Sequence, residues 1–189
     1  MEDSRREWQD PGDIVKQIGV GAGNRVADIG CGPGYFTLAL SEAVGPSGEI
    51  YAVDADPIMV DELKHNLSRW NLLNNVRCVT ADAYTTGIPS KTTDIVLFAN
   101  ILHDIEDKSR FFEEIKRIST QTARFVDIDW HKRSTIEMGP PVGIRLSEAE
   151  SRDLLRAAGF RIVHALDAGP YHYGLVAKLA EKSQELSGD

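Results

Sequence analysis

The residues whose types and spacing can do chemistry gather where short apolar runs of the chain end. Val26–Phe36 reads VADIGCGPGYF, with an acid at Asp28 and glycines at Gly30, Gly32 and Gly34. Strand, glycine turn and helix in that order form the entrance to a nucleotide site in an α/β fold. A dinucleotide site asks for G-x-G-x-x-G, and here Tyr35 stands where its third glycine belongs. A phosphate-gripping loop is also missing, because no Gly-Lys-Ser or Gly-Lys-Thr follows the turn. Two further acids close later apolar runs, Asp54 in EIYAVDA and Asp82 in VRCVTADA. His103 follows TDIVLFANIL, while Trp130 and His131 lie at the end of ARFVDIDW.

These residues need elements to hold them. RVADIGC and EIYAVDA read as buried strands, with FTLALSEAV as the helix between them. IMVDELKHNLSRW has helical spacing, with Asp56 as N-cap and Pro57 in the first turn. VRCVTADA is a third strand, TDIVLFANIL a fourth, KSRFFEEIKRIS a helix and ARFVDIDW a fifth strand. SEAESRDLLRAAGF is a helix with a Ser147–Glu150 capping box and a stop at Gly159. RIVHALDAG and YHYGLVAKLA, parted by Gly169-Pro170, read as an antiparallel hairpin. Alternating β and α predict a mostly parallel sheet with helices on both faces and right-handed crossovers. The stretch WHKRSTIEMGPPVGIR shows no clear periodicity, and connections this long in a compact domain are often functional.

A chain of 189 residues makes one domain with a sizeable core, and 42% hydrophobic with 26% charged residues excludes a disordered chain. The net charge of −8 disfavours a phosphate backbone as partner, so nucleic acid is not expected. Cys31 and Cys78 make neither a zinc site nor a disulfide framework, and a reducing, cytoplasmic setting follows. MEDSRREWQD has no apolar signal region, and no run is long enough to span a bilayer. The polar end EKSQELSGD is expected to fray.

VADIGCGPGYFTLAL closely resembles the first motif of the class I S-adenosylmethionine-dependent methyltransferases, and the resemblance runs from about Asp10 to Ala180. It implies a Rossmann-like seven-stranded sheet with an antiparallel last strand, and S-adenosyl-L-methionine as cofactor. It also implies a single methyltransferase domain over residues 1–189. Within it lie a cap segment (1–24), a cofactor-binding core (25–129) and a lid or substrate loop (130–146). A C-terminal helix and hairpin (147–180) and the tail (181–189) complete it. This cofactor has an amino-acid end, a sulfonium, a ribose and an adenine, but no phosphate. The turn residues Asp28, Gly30, Cys31, Gly32 and Gly34 are expected at its methionine portion, where a Cβ would intrude and Asp28 can orient the turn and attract the ammonium. Asp54, beside Ala55, is placed to accept both ribose hydroxyls. By the resemblance, Asp82 and Ala83 lie near the adenine amino group, Ile58 and Met59 on the adenine faces, and the Asn100 backbone at the methionine end. Asp82 reads equally as an Asx turn, and Ile58 and Met59 equally as helix core.

The Asn-x-Leu-His pattern lacks the Pro-Pro-aromatic signature of enzymes that methylate amino groups of DNA or glutamine. It resembles small-molecule methyltransferases, including the group that C-methylates quinone precursors. By that resemblance His103 faces the transferred methyl group, where its ordinary pKa suits a general base; a histidine that only shapes the loop is the alternative. Trp130 is expected to line an apolar acceptor pocket and His131 to be a second base candidate. Arg145 or Lys132 would pair with an anionic group, the alternative being a solvated loop with Arg145 paired to Glu137. Residues 4–20 are expected to fold over the cofactor, with Trp8 as anchor. The expected function is methyl transfer to a small-molecule acceptor without a metal. The rival from another class is a non-catalytic S-adenosylmethionine-binding accessory module. An NAD-dependent oxidoreductase is countered by Tyr35, arsenite methylation by having two cysteines, and RNA methylation by the acidic balance. The acceptor atom stays open, as does the choice between monomer and homodimer.

Overall fold

The computed structural model describes residues 5–133, 135 and 137–181. Residues 1–4 of the cap segment and the expected frayed tail at 182–189 lie outside the described residues. The chain runs α1 (Pro11–Ile18), β1 (Arg25–Ile29), α2 (Thr37–Val44), β2 (Glu49–Asp54), α3 (Pro57–Arg69) and β3 (Val76–Thr80). It continues through β4 (Thr93–Ala99), α4 (Lys108–Ile118), β5 (Ser119–Trp130), α5 (Glu148–Ala157), β6 (Phe160–Leu166) and β7 (His172–Leu179). The seven strands form one sheet in the order β3-β2-β1-β4-β5-β7-β6. The β1–β5 ladders are parallel, and β7 runs antiparallel to both β5 and β6. The strand order therefore reverses beside β1, the crevice where open α/β sheets bind ligands.

Alternation along each strand divides the core in two. Val26, Ile95, Leu97 and Val126 pack under Ile18 of α1, Leu40 of α2 and Leu63 of α3. Their neighbours Ala27, Val96, Phe98 and Phe125 pack under Phe111 and Phe112 of α4 and Leu155 of α5. Each fully buried side chain of this size contributes roughly 1.5–3 kcal/mol. Helix ends match their sequence signals. Asp56 accepts from the N–H of Ile58 (2.8 Å), and Ser147 with Glu150 forms the capping box.

Three elements differ from the sequence reading. Residues 11–18, for which the sequence reading names no element, form a helix capped by Asp10, with Ile14, Val15 and Ile18 buried beside α2. The spacing of those three apolar residues decides it, because a helix can bury them on one face. The fifth strand begins at Ser119, directly at the end of α4, with a register shift between Thr93 and Ile95 on β4. Gln121 and Thr122 are exposed there, so apolar alternation becomes visible only from Ala123. The third strand stops at Thr80, leaving Ala81–Ala83 as the loop beyond its end.

Candidate active site at the strand ends

The glycine turn is tied down from behind. The N–H groups of Gly30 and Cys31 both donate to the carbonyl of Val53 on β2 (2.8 and 3.0 Å). The three glycines then do different work, which the sequence does not separate. A Cβ on Gly30 would meet Ile101 at 2.4 Å and one on Gly34 would meet Leu63 at 2.5 Å, so these two admit neighbouring side chains. Gly32 has φ +52 and nothing within 4 Å of a Cβ position, so its bare face opens on space. Of the three, Gly34 faces a packed side chain, Gly30 lines the strand-end cleft and Gly32 leaves open space beside the turn; the expectation that all three face the cofactor is corrected at Gly34.

The acids also divide. Asp28 is 2% exposed and accepts from Thr37 Oγ1 (2.6 Å), fastening the start of α2 to the end of β1. Burial, with the nearby charge of Asp54, pushes its pKa up to about 6 despite that hydrogen bond. Asp28 therefore orients the turn and does not present a carboxylate to a ligand. Asp54 does face the cleft: one oxygen accepts from the N–H of Gly32 (2.8 Å) and the other from that of Asp56 (2.9 Å). Asp82 is exposed and accepts from the N–H of Tyr84 (2.8 Å), an Asx turn that shapes the loop after β3.

Between these groups lies a cleft of about 220 Å³, lined by Gly30, Asp54, Ala55, Ala81, Ala83, Ile101, Asp104 and Ile105 among others. Ile101 and Ile105, which sequence reasoning passed over, supply its apolar wall, and Met59 does not line it. Ile58 is 69% exposed at the start of α3, so it is not helix core either. Cys31 is buried behind the turn, and burial, then Asp28 and Asp54, push its thiol pKa up. A cleft of about 280 Å³ between α4 and α5 lies away from the strand ends and is lined by Phe112, Leu154 and two lysines. Chemistry and not volume therefore selects the site.

Past β4 the chain turns sharply. Asn100 takes φ +60, its N–H donates to Ile128 (2.7 Å), and its Oδ1 is buried without a hydrogen-bond partner. His103 follows. Its Nδ1 lies 2.8 and 2.9 Å from the two oxygens of Asp129, which also accepts from the N–H groups of His103 (3.2 Å) and Trp130 (2.7 Å). Its Nε2 is 3.3 Å from Asp104 Oδ2. Burial disfavours the charged ring, but the hydrogen bond and charge of Asp129, with the charge of Asp104, outweigh it and raise the pKa above the ordinary histidine value. Asp129 was absent from the sequence reading, although a signal existed: two acids, Asp127 and Asp129, sit two apart in an apolar strand and so share one face. Asp127 accepts from Ser151, and burial with the charge of Asp129 holds it well above the carboxylate range.

The acceptor-side residues are more enclosed than expected. Trp130 packs against His172 (4.1 Å between centroids) and Trp8 (6.5 Å), with the Arg145 guanidinium 5.6 Å from its ring. Arg145 is 2% exposed and donates to the carbonyls of Pro140 (2.8 Å), His131 (3.2 Å) and Met138 (2.6 Å). It folds the loop onto itself, which corrects the expectation that it presents its charge to a substrate. Lys132 pairs with Glu150 (3.2 Å) on α5. The His131 ring lies 5.9 Å from that of Tyr173, and burial and then Arg133 lower its pKa. His172 is buried between Trp8 and Trp130 with neither ring nitrogen hydrogen-bonded. Burial and then the charge of Arg5 push its pKa down to about 3. Tyr35, whose hydroxyl donates to the carbonyl of Gln9 beneath Arg5, joins residues 5–10 to the glycine turn.

Comparison with known proteins agrees with this geometry. Residues 27–126 match the family described as Methyltransferase domain. The chain is 28% identical over 159 residues to a ubiquinone/menaquinone biosynthesis C-methyltransferase of Marinomonas, covering 84% of this chain and 61% of that protein. Its counterpart in Azotobacter vinelandii is 30% identical over the same share of this chain, which spans 60% of its length. Both relatives are thus longer than the region they share with this chain. Among solved structures, a SAM-dependent methyltransferase from Aquifex aeolicus superimposes with a TM-score of 0.86 at 32% identity, covering 92% of each chain. The fold, the glycine turn with its acid partners, and these matches agree: the chain belongs to the class I S-adenosylmethionine-dependent methyltransferases.

Proposed function

We propose that this chain methylates a small planar acceptor bearing an ionisable hydroxyl, of the quinone-precursor type named for its relatives. The observation that carries the reading is His103, oriented by Asp129 at the ends of β4 and β5, beside the cleft that Gly30 and Asp54 line. S-adenosylmethionine, when bound, supplies an electrophilic methyl group on sulfur. Asp54 accepts the ribose hydroxyls, and the bare face of Gly32 admits the methionine portion. The unpartnered Oδ1 of Asn100 receives the ammonium. Ala81, Ala83 and Ile105 enclose the adenine.

On the acceptor side, the half-buried rings of Trp130 and Tyr171 offer faces against which a planar molecule can stack. His103, in its neutral form, takes the hydroxyl proton as the acceptor attacks. Segment 5–10, tied to the glycine turn through Tyr35, and the buried Arg145 of the loop after β5 limit the access of water, and the chain is read as a cofactor core, covers and a C-terminal hairpin. The test is formation of S-adenosylhomocysteine over a panel of phenols, quinols, enols, amines and thiols. Turnover confined to ring hydroxyl acceptors is expected. Cofactor binding with no turnover on any of them would instead make the chain an accessory S-adenosylmethionine-binding module.

A further inference from the structure

Asp104 belongs to two sites at once. Its carboxylate lies 3.3 Å from Nε2 of His103, and the same residue lines the cofactor cleft with Gly30 and Asp54. The two carboxylates on His103 differ in freedom. Asp129 is fully buried and accepts backbone N–H groups from His103 and Trp130 as well as the ring, so it cannot leave. The Asp104 side chain is 67% exposed, so it can turn at little cost. The third charge acting on the ring is Arg145, from the loop after β5, which opposes a positive imidazole. With both carboxylates in place the protonated ring is favoured, and a protonated Nε2 cannot accept a proton. A base in that state does nothing.

We propose that Asp104 couples the protonation of His103 to the charge of the bound cofactor. With the cationic sulfonium in the cleft, Asp104 turns toward that charge and leaves Nε2, and His103 becomes a neutral base held by Asp129 alone. This step rests on the methyl-transfer reading above. In the transfer the sulfur–methyl bond breaks, its electron pair stays on sulfur, and the acceptor–methyl bond forms. The acceptor's proton passes to Nε2 of His103. The positive charge lost at sulfur reappears on the imidazole, and Asp104 returns to it. Local charge is the same before and after, so no net charge has to be created beside the cofactor. Asp104 and Asp129 are positioning residues in this account.

The test needs no acceptor. The ring of His103, identified by the signal lost in His103→Gln, is titrated by NMR in protein saturated with sinefungin, which carries an ammonium near the sulfonium position. The titration is repeated with S-adenosylhomocysteine, whose sulfur is neutral. A midpoint lower with sinefungin by about 0.5–1 pH unit is expected, the scale of one charge acting across a solvated cleft. Asp104→Asn should lower the midpoint in the ligand-free protein and shrink the difference between the two complexes. Equal midpoints in the two complexes overturn the coupling. A difference that persists undiminished in Asp104→Asn overturns the part given to Asp104. The titration and the acceptor panel can fail independently, so the two readings remain separable.

Discussion

Asp54 uses each carboxylate oxygen to hold the chain beside the ligand it is placed to bind, through Gly32 on one side and Asp56 on the other. Removing it leaves both N–H groups without that partner and removes the acceptor for the ribose. Asp54→Ala should therefore weaken S-adenosylmethionine binding by about 1–3 kcal/mol. Calorimetry finding wild-type affinity in a folded variant would take Asp54 out of the site. His103 acts on a different quantity. His103→Ala should lower kcat by about 10²–10⁴-fold with cofactor affinity near wild type, since a base acts on the transition state. In kcat/KM for the cofactor, which reports the free enzyme, the wild-type value should fall as pH drops through a pKa above the ordinary histidine value, because Asp129 and Asp104 favour the protonated ring. That acid limb should vanish in the variant. A limb that survives would move the proton to another group.

Elements matter here chiefly through how their ends are tied. The connection between β3 and β4 is held to α4 by Glu114, whose Oε1 accepts from the N–H (2.8 Å) and hydroxyl (2.6 Å) of Thr86. Arg117 completes the knot, donating to Glu114 Oε2 (2.6 Å) and to the carbonyl of Ile88 (2.7 Å). Burial alone would raise the Glu114 pKa, but the hydrogen bonds and charge of Arg117 and the bonds from Thr86 bring it down to about 2. A carboxylate with a depressed folded pKa contributes stability above its unfolded pKa and loses it as pH falls through the folded one. Glu114→Gln should cost about 1–3 kcal/mol at neutral pH. The difference from wild type should shrink between about pH 4.5 and 2. Urea titrations at neutral pH and near pH 3 would show it, and a difference independent of pH would mean that the charge of Glu114 contributes nothing.

At the scale of the molecule, the cleft joins β1, β2 and the segments after β3 and β4, so a ligand there braces parts far apart in sequence. Among the described residues no helix is long and apolar enough to cross a membrane. S-adenosylhomocysteine at 100 times its Kd should stabilise the fold by about 2.7 kcal/mol. For a chain of this size that raises Tm by about 5–10 °C. NAD should produce no shift. Gly32→Val should remain folded by circular dichroism yet lose the shift, because its side chain enters the open space beside the turn. A full shift in that variant would contradict the assignment of that space to the cofactor.

The sequence by itself determined the strand and helix order, the ends marked by Asp56, Ser147 and Glu150, the antiparallel hairpin and the glycine turn. These are local properties: period, capping and turn chemistry act over a few residues and leave their mark there. Only the tertiary structure decided which residues share the site. It separated Gly32 from Gly30 and Gly34, because Ile101 and Leu63 arrive from other parts of the chain. It withdrew Arg145 into its own loop, and made residues 11–18 a core helix. It also brought Asp129 to His103 across 26 positions of sequence. No spacing rule spans that gap. The meeting of a residue just past β4 with one on β5 is set by the parallel register of the two strands, and register is decided by packing between strands, not by the residues near either partner.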